Sequence, residues 1–326
     1  MQTEPLEFAE VRKFRFGAPV TASDGPAGKV HSICVDAHSR QVTCVGVRTG
    51  FLAFGKTCYV PMSAIATSSR DELVLTVSLD EMQRTMTTRP AGELLTSSAS
   101  IVSTTKGHWH LTQVTVNAET HILRHLVGRA MGGQEVLIPA AIITGIGSGK
   151  VTVNLGSTKA DQLVPFRPDA DLRQAVYSAI YNYEPLRIDL PGIEIHAIDG
   201  TVWLKGNVSS DLNRRLVEDQ LMNIAGLAEI HNELYSDTEL SAEIARALAR
   251  DPRTANEHIG VYPRLGTIRL RGNVRSDSAR HAATEIARGI PGAKSISNEL
   301  HVNPTATVVP TLAGVTNEED MVPGGG

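Results

Sequence analysis

Two internal duplications constrain this 326-residue chain more than any other feature. A repeated stretch marks one folding unit used twice, so missing it would misread the whole fold. The sharper duplication lies in the second half and needs no gap. Gly200-Thr201-Val202 aligns with Gly266-Thr267-Ile268, and Gly206-Asn207-Val208 aligns with Gly272-Asn273-Val274. Gly226 aligns with Gly292, and Asn232-Glu233-Leu234 with Asn298-Glu299-Leu300. Each copy opens on a helical pattern, "DLRQAVYSAIYNY" or "SAEIARALAR". Two alternating strands joined by a tight turn follow, then a second helix, then a closing strand, "AEIHNELY" or "KSISNELHV". The order αββαβ predicts a three-stranded sheet with both helices on one face.

The first half carries a looser duplication. "VHSICVDAHSRQVTCVGVR" from Val30 matches "LTQVTVNAETHILRHLVGR" from Leu111, with Ile33 on Val114, Ala37 on Ala118 and Val45 on Leu126. After a short gap "YVPMSAI" matches "LIPAAII", and "LVLTV" matches "VTVNL". Short Val/Ile/Thr-rich alternating runs between polar or glycine turns predict a small antiparallel barrel or sandwich in each copy. The polar stretch "TTRPAGELLTSSAS" between the copies reads as a linker, and "NPTATVVPTLAGVTNEEDMVPGGG" as a disordered tail. The expected fold class is multidomain β plus α+β: two small antiparallel β-barrels followed by two αββαβ modules. The expected domains are residues 1–86, 87–168, 169–237 and 238–303, with a flexible tail at 304–326.

The last two units resemble BON (bacterial OsmY and nodulation) domains, on their αββαβ order, the strands "GTVWLKGNV" and "GTIRLRGNV", and the closing glycine-then-"NEL" strand. The first two resemble PRC-barrels, the fold of the photosynthetic reaction-centre H subunit and of a ribosome maturation factor. That likeness rests on "FGAPVTASDGPAGKVHSICVDAHSRQVTCVGVRTG", on "YVP" and on "LVLTVSLDE". The second copy departs from it, because "LTSSASIVSTTKGHWHLTQVTV" lacks the Asp-Gly turn. The first resemblance implies envelope-associated or phospholipid-surface modules, the second adaptors for proteins, membranes or RNA. Neither implies catalysis.

Composition narrows the partners. A net charge of −4 and 4% aromatic residues argue against nucleic acid as the main partner. The N-terminus lacks the pattern of a signal peptide and no apolar run reaches membrane-spanning length, so the expected location is cytoplasmic, with peripheral attachment to the inner membrane face as the variant. Cys34 and Cys44 flank "DAHSRQ" and can face one another across a hairpin; with Cys58 they read as buried, reduced thiols. No P-loop, dinucleotide fingerprint, nucleophile elbow or zincin motif is present, and no cofactor is expected. "GIGSGK" at 145–150 leads into a strand and reads as a hairpin turn.

The duplicated turn "GNVSSD"/"GNVRSD" permits two readings. A strand, a glycine and a helix start can cradle a phosphate. Ser210 and Asp211, like Ser276 and Asp277, can instead satisfy the helix start themselves, with Gly206-Asn207 and Gly272-Asn273 shaping the strand exit. The second reading is favoured. His108 and His110 share one strand face, with Trp109 on the other; two imidazoles alone fall short of a structural zinc site. Residues 171–239 carry a net −7 and residues 240–303 a net +4. Arg269 and Arg271 fall on one strand face with Arg264 and Arg275 at its ends, where the acidic unit has Trp203 and Lys205. That stripe can be simply solvated, can meet anionic lipid headgroups, or can meet the acidic unit of another copy. Tyr177 and Tyr181, one helical turn apart, suit a protein interface or cover a sheet edge. The function expected is non-enzymatic binding or scaffolding through the paired modules, by homo-oligomeric self-assembly or on anionic membrane, with another protein as a further partner. The alternatives are a small-ligand or metal-binding, even enzymatic, β-barrel protein and an RNA- or ribosome-linked adaptor.

Overall fold

The computed structural model describes residues 11–50, 55–89, 91–104, 107–147, 149–156 and 162–305. It divides into two units, residues 1–167 and 168–326.

In the first unit, alternation of Val, Ile and Thr against polar residues builds two sheets of seven strands each. One repeat supplies β1 (Val11–Arg15), β2 (Pro19–Ala22), β3 (Gly25–Val35), β4 (Val42–Arg48), β5 (Thr57–Pro61), β6 (Ile65–Ser68) and β7 (Leu73–Leu75), then helix α1 (Leu79–Thr85). The other supplies β8 (Glu93–Thr96), β9 (Ser100–Ser103), β10 (His108–Asn117), β11 (Leu123–Arg129), β12 (Glu135–Pro139), β13 (Ile143–Gly147) and β14 (Lys150–Val153). The strand orders correspond, β5-β4-β3-β2-β7-β6 and β12-β11-β10-β9-β14-β13. Both sheets are mixed, not purely antiparallel: β2 runs parallel to β7, and β9 parallel to β14.

The first strands of the two repeats are exchanged. β1 pairs with β10 of the second repeat, Phe14 opposite Val114, and β8 pairs with β3 of the first, Leu95 opposite Ile33. The stretch read as a linker therefore contains a strand. The cause is length. β2 and β9 cover only one half of the long strands β3 and β10, leaving the other half as an edge that an incoming strand must pair. Phe14 and Leu95 are both fully buried by this exchange, in a core common to the whole unit. Around the pseudo-two-fold centre the Val42 N–H donates to the His121 carbonyl and the Leu123 N–H to the Arg40 carbonyl. Cys34 and Cys44 stand directly opposite in register on β3 and β4, buried and free.

The second unit contains two modules. The first comprises α2 (Asp169–Asn182), α3 (Glu184–Arg187), β15 (Ile193–Ile198), β16 (Thr201–Val208), α4 (Asp211–Leu221) and β17 (Glu229–Ser236). The second comprises α5 (Asp237–Arg250), β18 (His258–Arg264), β19 (Thr267–Val274), α6 (Asp277–Arg288) and β20 (Ser295–Val302). Each sheet pairs its first two strands antiparallel and its last two parallel. The parallel pair requires the crossover helix α4 or α6, as parallel strands always need a long connection. Leu172, Val176 and Ile180 of α2 and Leu240, Ile244 and Leu248 of α5 line the two cores at helical spacing.

Candidate functional site

The duplicated turn is a closed structural device. Ser210 Oγ accepts from the Asn213 N–H at 3.1 Å and Ser276 Oγ from the Ala279 N–H at 3.2 Å, each capping its helix. The amide that precedes each cap is occupied as well. Buried Asp189 accepts from the Ser209 N–H at 3.1 Å, the Ser209 hydroxyl at 3.1 Å and Asn213 Nδ2 at 2.7 Å. Buried Glu257 accepts from the Arg275 N–H at 2.9 Å and from Arg275 Nε at 3.2 Å. An internal carboxylate fills the anion's place in each module.

Gly206 and Gly272 have φ of +109° and +130°. A Cβ would lie 2.1 Å from the Gly192 or His258 carbonyl oxygen, so the strands approach too closely for any other residue. Their Asn neighbours differ in environment. Asn207 is 1% exposed, and its Nδ2 donates to the Gly292 carbonyl of the second module at 2.9 Å, whereas Asn273 is exposed. Arg214 Nη1 to Glu239 Oε2 at 2.8 Å and Lys294 Nζ to the Gly192 carbonyl at 3.4 Å also join the modules. At the seam Asp237 Oδ2 and Oδ1 accept from the Leu265 and Gly266 N–H groups at 2.6 and 3.1 Å. Burial pushes the Asp237 carboxyl up, against the two amides, which pull it down.

The four arginines do not form one free stripe. Arg269 and Arg271 lie on the open face of the second sheet, away from the helices. Arg271 Nε is paired with Glu299 Oε2 at 2.8 Å, and that guanidinium is the main cause holding the Glu299 carboxyl low. Arg275 lies beyond the strand end, bound to Glu257. Arg264 is exposed, with no ion pair among the described residues. On the corresponding face of the first module, Trp203 is nearly buried and stacks on His231, ring centroids 5.3 Å apart, while Lys205 Nζ is 3.6 Å from Glu233.

The helix side of the first module has a different character. Tyr177 and Tyr181 are 44% and 47% exposed and stack on one another, centroids 6.2 Å apart and 9° from parallel. Arg187 lies over the Tyr181 ring at 5.0 Å and donates from Nε to the Tyr181 carbonyl at 3.1 Å. Ile188, Leu212 and Met222 of the same module are each more than 60% exposed. On α5 of the second module the helical positions of the two tyrosines carry Ala245 and Ala249. Sequence reasoning found the tyrosines but missed Arg187 and Ile188, which lie in a helix-to-strand connection (183–192) longer than that of the other copy (251–257). It also missed Asp189 and Glu257, whose distances from the turn differ between the modules.

His108 and His110 are exposed and meet edge to face at 5.4 Å. Among the described residues no group of three or more His, Cys, Asp or Glu side chains could hold a metal ion. Among them, too, no helix is long and apolar enough to cross a membrane.

The BON domain model matches residues 168–234 and 236–304. Those two stretches are the two αββαβ modules, so the chain carries a pair of BON domains. It is also similar to osmotically-inducible protein Y of Escherichia coli K12, 22% identical over 186 residues, which cover 51% of this chain and 92% of that protein. Among solved structures it resembles CdsD, described as a structural protein of the type III secretion system of Chlamydia trachomatis. The likeness has a TM-score of 0.34 at 14% identity, over 40% of this chain and 61% of the other. The C-terminal domain of CdsD gives 0.33 at 13% identity, over 42% of this chain and 66% of the other. The chain thus spans less than two thirds of either solved chain, and scores this low carry no inference about function.

Proposed function

We propose that this protein is a non-enzymatic scaffold that associates with further copies of itself through the helix face of its first BON module. The observation that carries this reading is the exposed Tyr177–Tyr181 stack, extended by Arg187 and flanked by Ile188. Tyrosine and arginine dominate binding energy at protein interfaces, and their side chains here are already held in place by stacking. The alanines at the matching positions of α5 make the face a property of one module and not of the duplicated fold. Opposite net charges on the two modules favour a head-to-tail contact in which the acidic first module of one copy meets the basic second module of the next. A contact of that kind propagates or closes into a ring. The first unit is read as two PRC-barrel-like repeats joined by their exchanged strands, serving as the adaptor half. Sedimentation velocity over a concentration series tests the proposal: the wild type forms larger species as concentration rises, and the variant Tyr177→Ser with Tyr181→Ser stays monomeric.

One observation favours a second reading, attachment to anionic membrane. Exposed Arg264 and the net +4 of residues 240–303 put positive charge on the second module, at about 1 kcal/mol per basic residue near an anionic surface. Vesicles containing phosphatidylglycerol test it. Binding at low salt that is lost in Arg264→Glu with Arg269→Glu supports attachment, and no binding by the wild type excludes it. A relative named for osmotic induction suggests osmotic stress as the condition under which either activity is needed.

A further inference from the structure

A cleft of about 490 Å3 opens in the first unit, where exchanged strand β1 hands the chain back to its own repeat. That volume falls within the range of small-molecule sites. Its walls come from four segments. Arg15 and Phe16 leave β1, Ser97 lies in the turn after β8, His110 and Thr112 are on β10, and Arg129 is on β11. A bulge between Leu111 and Gln113 re-aims Thr112, a device common beside binding sites.

The cleft is basic. Arg129 Nη2 meets Glu135 Oε1 at 2.9 Å and Arg70 meets Glu135 Oε2 at 3.3 Å. Among the described residues Glu135 is shared by Arg129 and Arg70 while Arg15 has no ion pair, so the lining arginines leave net positive charge that a concave wall concentrates.

The repeat supplies an independent argument. His110 stands directly opposite Arg129, and at the matching place in the first repeat Lys29 stands directly opposite Arg48. Like charges facing across a strand pair are destabilising. Among the described residues neither Lys29 nor Arg48 has an ion pair. At the cleft the residue facing Arg129 is an imidazole, where the first repeat sets two cations opposite one another, so Arg129 carries the formal charge of its cross-strand pair.

We propose that this cleft binds a small phosphate-bearing molecule. Arg15 and Arg129, arriving from different strands, reach separate oxygens of a dianion, which suits phosphate better than a carboxylate. The Ser97 hydroxyl supplies a further donor, and the Phe16 ring packs against whatever the phosphate is attached to.

Calorimetric titration of the full chain with inorganic phosphate and with phenyl phosphate tests the assignment. One site is expected, weakened about ten-fold or more in Arg15→Gln and in Arg129→Gln, and unchanged in Arg84→Gln on α1. Tighter binding of phenyl phosphate, lost selectively in Phe16→Ala, identifies a phosphate ester as the ligand; equal binding identifies free phosphate. No binding of either probe at millimolar concentration overturns the proposal. So does unchanged affinity in both arginine variants, each checked for native circular dichroism.

Discussion

Asn207 crosses from one BON module to the other: its Nδ2 donates to the Gly292 carbonyl at 2.9 Å, and the same asparagine is 1% exposed. Its repeat counterpart Asn273 sits in the same turn and is exposed. The pair separates the work of the fold from the work of the seam. Asn207→Ala leaves the half-buried Gly292 carbonyl unpaired and is expected to cost about 1–2 kcal/mol in urea denaturation. Asn273→Ala is expected to stay within about 0.5 kcal/mol. Equal effects would mean that both asparagines serve only their own turn.

The neighbouring glycines behave oppositely, because both are needed inside their own modules. At Gly272 a Cβ would lie 2.1 Å from the His258 carbonyl oxygen, at a φ of +130°. Gly272→Ala is therefore expected to destabilise by about 3 kcal/mol or more, combining backbone strain with a displaced strand. Thermal melts followed by circular dichroism show this as a fall in Tm of the second unit.

The strand exchange makes an unusual demand on hydrogen exchange. Phe14, near the start of the chain, is buried opposite Val114, so Phe14→Ala is expected to cost about 3–5 kcal/mol. The amides that lose protection first should be those of residues 113–117 in the second sheet. Leu95→Ala should instead expose residues 32–35 in the first. Protection lost in the residue's own repeat would contradict the exchange.

At the end of α5, Arg253 donates to both oxygens of Asp251 and to Glu285. The guanidinium pulls the Asp251 carboxyl down to about 2. A depressed carboxylate favours the folded state above its unfolded value of about 3.9, and that contribution is lost as the pH falls through about 2. A carbon-detected NMR titration should find Asp251 ionised at pH 3, and Arg253→Gln should return it toward the ordinary value.

The two modules were legible in the sequence because their repeat is gapless from the hairpin glycine to the closing strand, the connection after the first helix being the part that differs in length. Gly200 and Gly266 mark the hairpins, and the 3.6-residue spacing of Leu240, Ile244 and Leu248 marks a core-facing helix. The exchange of β1 and β8 was not legible. Pairing between Phe14 and Val114 is fixed by which half of a long strand is left uncovered, and local periodicity carries no trace of it. The arginine stripe was half legible: period-two alternation placed Arg269 and Arg271 on one face. Only tertiary structure supplies Glu299 and Glu257, which pair with Arg271 and Arg275. Tyr177 and Tyr181 were visible as a pair, whereas Arg187 came from an irregular turn whose path no pattern predicts.

Association of copies of the chain through the first module's helix face is open to a single experiment. Sedimentation velocity of the full chain over a hundred-fold concentration range tests it most directly, run beside Tyr177→Ser with Tyr181→Ser. The wild type is expected to show a sedimentation coefficient that rises with concentration, with association weakened at least ten-fold in the variant. A wild type that stays monomeric throughout, or a variant that assembles equally well, would contradict it.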